Sequence, residues 1–239
     1  TLWRESLPNI GYIAIDGFTD KIFMSEERFT GAFRGVIDDL MPGLVGMIQE
    51  DPGDDDPRER VTVDEARAAH ALAEAAGLRS VDAPVSGGVV GAENATLTFM
   101  VGGSDADVDA ARPLLEVMGA RVVHCGGPGL GQAAKVCNNM ILAATMIVTG
   151  EAFEMGRRLG LDDQALFDVV STASGQSWSV TTYCPVPGPV PTSPANNDYK
   201  PGFATQLMVK DLSLAQQAAQ QTGAHIPMGS RALELYEEF

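Results

Sequence analysis

The sequence predicts an α/β domain followed by an all-α domain, the two joined by one long helix. Helix and strand patterns alternate from residue 63 to about 125, a Gly-Gly-Pro-Gly break follows, and beyond it the periodic segments are helical. The 239 residues allow one or two domains, and the break divides them into 1–128 and 129–239, with the long helix over 129–159.

The first strand is read from Ile10-Gly11-Tyr12-Ile13-Ala14-Ile15-Asp16-Gly17, a short apolar run closing on a turn dipeptide. From 18 to 60 the pattern blurs and offers only a helix near Ser25 to Phe33 and an apolar stretch near Val36 to Ile48. Val63 to Gly77 is alanine-rich, carries acidic residues in its first turn and stops at glycine, so it reads as a helix. A strand over Leu78 to Val85 comes next, then a Gly-rich turn at Ser86-Gly87-Gly88, an alternating strand over Thr96 to Val101 and the glycine pair Gly102-Gly103. An amphipathic helix over Asp105 to Met118 and a strand over Ala120 to His124 complete the first domain.

Nothing interrupts the helix from Gly131 to about Leu159, and at 1.5 Å per residue it reaches about 43 Å, enough to connect two domains. Helices over Asp162 to Ala173 and Leu207 to Thr222 follow. Between them lies a loop with Pro185-Val186-Pro187-Gly188-Pro189-Val190-Pro191 and Ser193-Pro194-Ala195-Asn196-Asn197. Its prolines argue against regular structure, and so long a loop is either a linker or a functional element.

Composition narrows the function. The net charge of −16 repels phosphate backbones, so nucleic acid is not an expected partner. No run approaches the roughly 20 consecutive apolar residues of a membrane span, and TLWRESLPN lacks the pattern of a secretion signal. A soluble protein is expected, in a bacterial cytoplasm first and a mitochondrial matrix second. Cys125, Cys137 and Cys184 are an odd set without metal-ligand spacing, as in a reducing compartment. The acidic run Glu50 to Asp56 reads as a solvated loop, and no metal is expected.

Three groups of residues suit chemistry. Ser86-Gly87-Gly88 ends a strand and is either an ordinary tight turn or a neutral carboxylate or phosphate site made of bare amides and a hydroxyl. Lys135 stands alone in the otherwise uncharged stretch from Gly126 to Gly150, with Asn139 one turn on and on the same helix face. Desolvation there favours the neutral amine, the form that takes a proton from a substrate oxygen, although a lone lysine can equally snorkel to water. Lys210-Asp211-Leu212 opens a helix, with Phe203 eight residues before Asp211, which sets a cation and a ring near one another in sequence. His70, His124 and His225 have no acidic or nucleophilic partner at motif spacing and are read as core, strand-end or surface residues.

Together the segments DAPVSGGVVGAENATLTFMVGG, GQAAKVCNNMILA and FATQLMVKDLSLA, in that order, resemble the β-hydroxyacid dehydrogenases. The proline and Asn-Asn loop is similar to their 3-hydroxyisobutyrate branch, and the resemblance runs from about Val63 to Phe239. It implies a Rossmann-type cofactor domain followed by a helical substrate and dimerisation domain, with the active site in the cleft. It also implies Lys135 as catalytic acid/base, Ser86, Gly87 and Gly88 at the substrate carboxylate, and Asn139 orienting the substrate. Phe203, Lys210 and Asp211 are implied at the nicotinamide end of the cofactor. The implied reaction is NAD-dependent oxidation of 3-hydroxyisobutyrate to methylmalonate semialdehyde in valine catabolism, by a homodimer or homotetramer. A related semialdehyde reductase and a non-catalytic dehydrogenase-like binding module are the alternatives.

The opening segment departs from this pattern. Laid on the family's first strand, the three glycine positions of the G-x-G-x-x-G fingerprint fall at Ala14, Asp16 and Thr19, so the Rossmann half is expected to be atypical or truncated. Asp38 lies near the distance at which an acidic residue holds the ribose, and Glu59-Arg60-Val61 stands where the family has Ser-Thr-Ile. The stretch from the first strand to DAPVSGG is shorter than in family members, and the family's last helical segment is not found before Phe239. Because only one contiguous segment is aberrant, residues 1–60 are expected not to represent the protein's true N-terminal region, the alternative being a divergent protein that has lost or changed cofactor binding.

Overall fold

The computed structural model describes the backbone of residues 10–14 and residues 61–200 and 202–239. The expected helix near Ser25, the apolar stretch near Val36, the acidic run and residues Asp16, Thr19 and Asp38 lie outside the described residues. Two compact units divide the chain, residues 1–135 and 136–239.

In the first unit, β1 (Ile10–Ala14), β2 (Arg79–Asp82), β3 (Val85–Ser86), β4 (Leu97–Gly102) and β5 (Gly119–Gly126) form one sheet, interleaved with α1 (Val63–Ala75), α2 (Gly88–Glu93) and α3 (Asp105–Met118). β1 runs parallel to β2, and β4 parallel to β5, which leaves β2 and β3 antiparallel to one edge of β4. The single strand expected over Leu78 to Val85 is thus two strands. The pairs Asp82 with Gly102 and Val85 with Phe99 nevertheless keep one register, and the Met100 amide donates to Pro84 O at 2.9 Å between them. The break falls at Ala83-Pro84, where proline has no N–H to give the ladder.

Local chemistry sets the helices. Thr62 and Glu65 form a reciprocal capping box at the start of α1, the Thr62 side chain accepting from the Glu65 amide at 3.1 Å and the Glu65 carboxylate from the Thr62 amide at 2.7 Å. Ser104 caps α3, whose Val108, Ala111 and Leu115 recur at helical spacing and pack on Val81, Phe99 and Val101 of the sheet. The expected turn at Ser86-Gly87-Gly88 does not end there but leads into α2, a helix the glycine-rich reading missed.

α4 (Leu130–Arg158) is the long helix, 29 residues as expected and displaced by one from the expected bounds. By length and composition it is long and apolar enough to cross a bilayer, although it holds no unbroken apolar run of that length. Its Ala143 and Phe153 belong to protein cores, and Asn138, Asn139, Glu151 and Glu154 are polar positions along it. The rest of the second unit is α5 (Asp163–Val170), α6 (Trp178–Thr181), a 3-10 turn (Pro194–Asn196), α7 (Thr205–Thr222) and α8 (Pro227–Glu238). Ala143 packs with Met208 and Leu212 of α7 and Ala232 of α8, while Phe153 packs with Cys184, Val186 and Val190 of the proline loop. Burial pushes the Cys184 thiol above its ordinary range, so it acts as a small apolar group.

One ion pair joins α3 to β2. Arg79 donates to Asp107 Oδ1 at 2.7 Å. Burial alone would raise the Asp107 carboxyl, but the bonds from Arg79 and Ser104 outweigh it and hold it below the ordinary 3.8. The stabilisation is therefore complete above that value and fades as pH falls through the depressed one. Asp107→Asn should cost about 0.5–1 kcal/mol at neutral pH, and the gap to the parent protein in thermal unfolding should close in strong acid.

Candidate active-site elements

In the first unit, the segment from Asp82 to Gly88 meets the start of α4 at two levels. The Asp82 carboxylate, 1% exposed, accepts from the Gly129 amide at 2.8 Å through Oδ1 and from the Gln132 amide at 3.0 Å through Oδ2. Its Oδ1 also lies 3.0 Å from His70 Nε2, and His70 Nδ1 lies 2.7 Å from Ser80 Oγ. Three residues beyond Asp82, Val85 O accepts from Lys135 Nζ at 2.7 Å. Lys135 thus reaches the residue directly before Ser86-Gly87-Gly88, so the structure brings together two of the groups singled out from sequence.

Backbone geometry explains the glycines there. Gly87 and Gly88 have φ of +139° and +65°, values that L side chains rarely adopt, and Gly87 caps α2 without a side-chain hydrogen bond. Other glycines make room for Asp82: a Cβ at Gly102 would come within 2.3 Å of Asp82 Oδ1, and one at Gly131 within 2.4 Å of Met100 O.

In the second unit, Asn139 is buried and donates through Nδ2 to Asp211 Oδ2, while its Oδ1 accepts from Asn138 Nδ2 at 2.9 Å. Lys210 Nζ stands 3.9 Å from Asp211 Oδ1. Asp211 therefore ties Lys210 to Asn139, a link no sequence spacing indicated. Phe203 is exposed in the segment leading into α7, and among the described residues no ring contact or hydrogen bond joins it to Lys210 or Asp211.

The proline loop is ordered by its asparagines. Asn196 accepts from the Gly188 amide at 2.8 Å and donates to Val190 O at 2.7 Å, and Asn197 donates to Ser193 O at 3.1 Å. The Tyr199 hydroxyl donates to Pro185 O at 3.2 Å and closes the loop. Beside it, Trp178 and Tyr183 stack with centroids 4.9 Å apart, and a Cβ on Gly202 would lie 2.7 Å from the Tyr183 hydroxyl oxygen. Burial raises the Tyr183 phenol, which keeps it a neutral donor.

Sequence reasoning missed Ser80, His70 and the role of Asp82. The signal for His70 was its place with Ala66 and Ala73 on the buried face of α1; its partners, 10 and 12 residues away, left no periodic trace.

Two family models match these same segments: residues 60–127 match the NAD binding domain of 6-phosphogluconate dehydrogenase, and residues 129–239 match the NAD-binding of NADP-dependent 3-hydroxyisobutyrate dehydrogenase. A probable 3-hydroxyisobutyrate dehydrogenase of Mycobacterium tuberculosis is 58% identical over 179 residues, covering 75% of this chain and 61% of that protein. The chain belongs to the 3-hydroxyisobutyrate dehydrogenase family. A solved structure of the Mycobacterium tuberculosis 3-hydroxyisobutyrate dehydrogenase with L-serine aligns with a TM-score of 0.72 at 58% identity, over 74% of this chain and 61% of that one. An NAD-dependent L-serine dehydrogenase of Pseudomonas aeruginosa is 50% identical over 171 residues, covering 72% of this chain and 57% of its own. The chain therefore spans about three-fifths of the length of these relatives, and residues 1–59 lie outside both family models.

Glycine substitutions separate close approach from mere presence in a helix. Gly131→Ala should destabilise the protein by about 1–3 kcal/mol through the clash at Met100 O. Gly150→Ala, also within α4 but with nothing within 4 Å of its Cβ, should stabilise by about 0.5–1 kcal/mol, both read by chemical denaturation.

Proposed function

We propose that this protein is a nicotinamide-dependent dehydrogenase of β-hydroxy acids bearing a primary alcohol, with 3-hydroxyisobutyrate as its substrate and NAD as its cofactor. The observation that carries the reading is the hydrogen bond from Lys135 Nζ to Val85 O, which puts the one amine of this uncharged stretch beside Ser86-Gly87-Gly88. In the neutral form, Lys135 donates to Val85 O and keeps a lone pair for the substrate hydroxyl proton; in the reverse direction the ammonium returns that proton. The Ser86 hydroxyl and the glycine backbone receive the substrate carboxylate. Asn139, held by Asp211 through one N–H of Nδ2, orients the substrate with the other, which donates to the hydroxyl oxygen and leaves the hydroxyl proton to Lys135. As the proton leaves, the carbinol carbon gives up hydride and becomes the aldehyde.

Phe203, Lys210 and Asp211 are the residues proposed for the nicotinamide end. When bound, the dinucleotide supplies the hydride acceptor. The pyrophosphate end fits less well, because Ala14 closes β1 where the fingerprint has its first glycine, and Asp16 and Thr19 take the other two positions. That observation favours a second reading, a dehydrogenase-like module that binds a metabolite without turnover. L-serine is a rival substrate, supported by the names of the relatives: it shares the carboxylate and the primary alcohol of 3-hydroxyisobutyrate and carries ammonium where the latter has methyl.

Reduced-nicotinamide absorbance with each acid and with NAD or NADP decides among these. Turnover with 3-hydroxyisobutyrate exceeding that with L-serine supports the reading, the reverse order moves the substrate to serine, and none with either favours the module. Lys135→Ala should lower kcat by about 10²–10⁴-fold with cofactor affinity nearly intact, and unchanged turnover would remove Lys135 from the mechanism.

The homo-oligomer is proposed through α4. Ile141, Val148 and Met155 recur at every seventh residue and are each more than half exposed, a stripe that a second copy of the chain would cover. Val148→Glu should shift the mass measured by light scattering toward the monomer.

A further inference from the structure

We infer that Asp82, backed by His70 and Ser80, is a positioning residue for Lys135: it fixes the first turn of α4, and with it the place of the amine relative to Ser86-Gly87-Gly88. The inference rests on the reading of Lys135 as the acid/base.

The first turn of any helix has amides without internal partners, and a side chain at the preceding residue usually accepts from them. Here the Ala133 amide donates to Gly129 O, so Gly129 occupies that cap position and has no side chain to offer. The acceptor comes instead from Asp82, 47 residues earlier, one oxygen on the Gly129 amide and the other on Gln132. A cap at residue 129 itself would secure the helix just as well. Taking it from Asp82 does something more, because the same segment continues to Val85, which receives Lys135 one turn beyond Gln132. The chain from Asp82 to Val85 thus grips α4 at two successive levels, and rotation or sliding of the helix against the Ser-Gly-Gly segment breaks both.

The orientation of the carboxylate is itself set from behind. An ionised carboxylate only accepts, so His70 faces it with Nε2–H, and in the neutral ring Nδ1 then accepts from the Ser80 hydroxyl. Ser80 also sits in β2, two residues before Asp82, so the imidazole bridges two side chains of one strand. Gly102 and Gly131 leave the room this carboxylate needs, since a methyl group on either would fall within 2.7 Å of one of its oxygens. Outer contacts of this kind place a reacting group rather than touch the substrate.

Asp82→Asn keeps the size and loses one acceptor. In the full chain, kcat for hydroxyacid oxidation should fall about 10–100-fold while KM changes little. The pH at which Lys135 takes up trace acetylation, read residue by residue by mass spectrometry, should move relative to the parent protein. That labelling needs neither cofactor nor turnover, so it separates this inference from the functional reading: a parent protein without activity sinks the dehydrogenase, not the placement of Lys135. His70→Gln, which retains a donor toward Asp82, should keep most of the parent behaviour, and His70→Leu should reproduce the Asp82→Asn shift in part. Folded Asp82→Asn with unchanged kcat and an unchanged Lys135 labelling profile overturns the inference. If Asp82→Asn does not fold, the same unchanged profile in His70→Leu overturns it.

Discussion

A buried carboxylate, Asp82, is the constraint around which the first unit is arranged. Taking a charge out of water is costly unless donors surround it, and here two helix amides and an imidazole do so, helped by the positive end of a 29-residue helix. The consequences spread outward. Gly102 and Gly131 must lack side chains, α1 must turn a histidine rather than an apolar residue into the core, and β2 must end where α4 begins.

The second unit repeats the device with a different partner. Asp211 is also buried, and its two oxygens are divided between the Asn139 amide and the Lys210 ammonium. In both units an aspartate within the protein, rather than the group proposed to meet the substrate, absorbs the cost of holding that group in place. Val85 O and Asp211 are the immediate supports of Lys135 and Asn139, four residues apart on one helix. The proline loop solves a separate problem. With many prolines and few backbone donors it cannot build a ladder, so Asn196, Asn197 and Tyr199 supply the missing hydrogen bonds from side chains.

Sequence alone determined the elements whose signal is local. Asp105 to Met118 and the 29 residues of α4 are periodic and end at capping or breaking residues, and helix formation depends on neighbours three and four positions away. The candidate groups Ser86-Gly87-Gly88, Lys135, Asn139 and Lys210-Asp211 were legible in the same way, as residue types out of place in their surroundings, and the ordered motifs around them carried the family. Tertiary structure alone decided their connections. The bonds from Asp82 to α4, Val85 to Lys135 and Asn139 to Asp211 join residues 47 to 72 apart, and such contacts depend on how sheet and helices pack, which leaves no period in the chain. The interrupted strand at Ala83-Pro84 shows the same division: the proline was visible, but only pairing with β4 shows that the register continues across it.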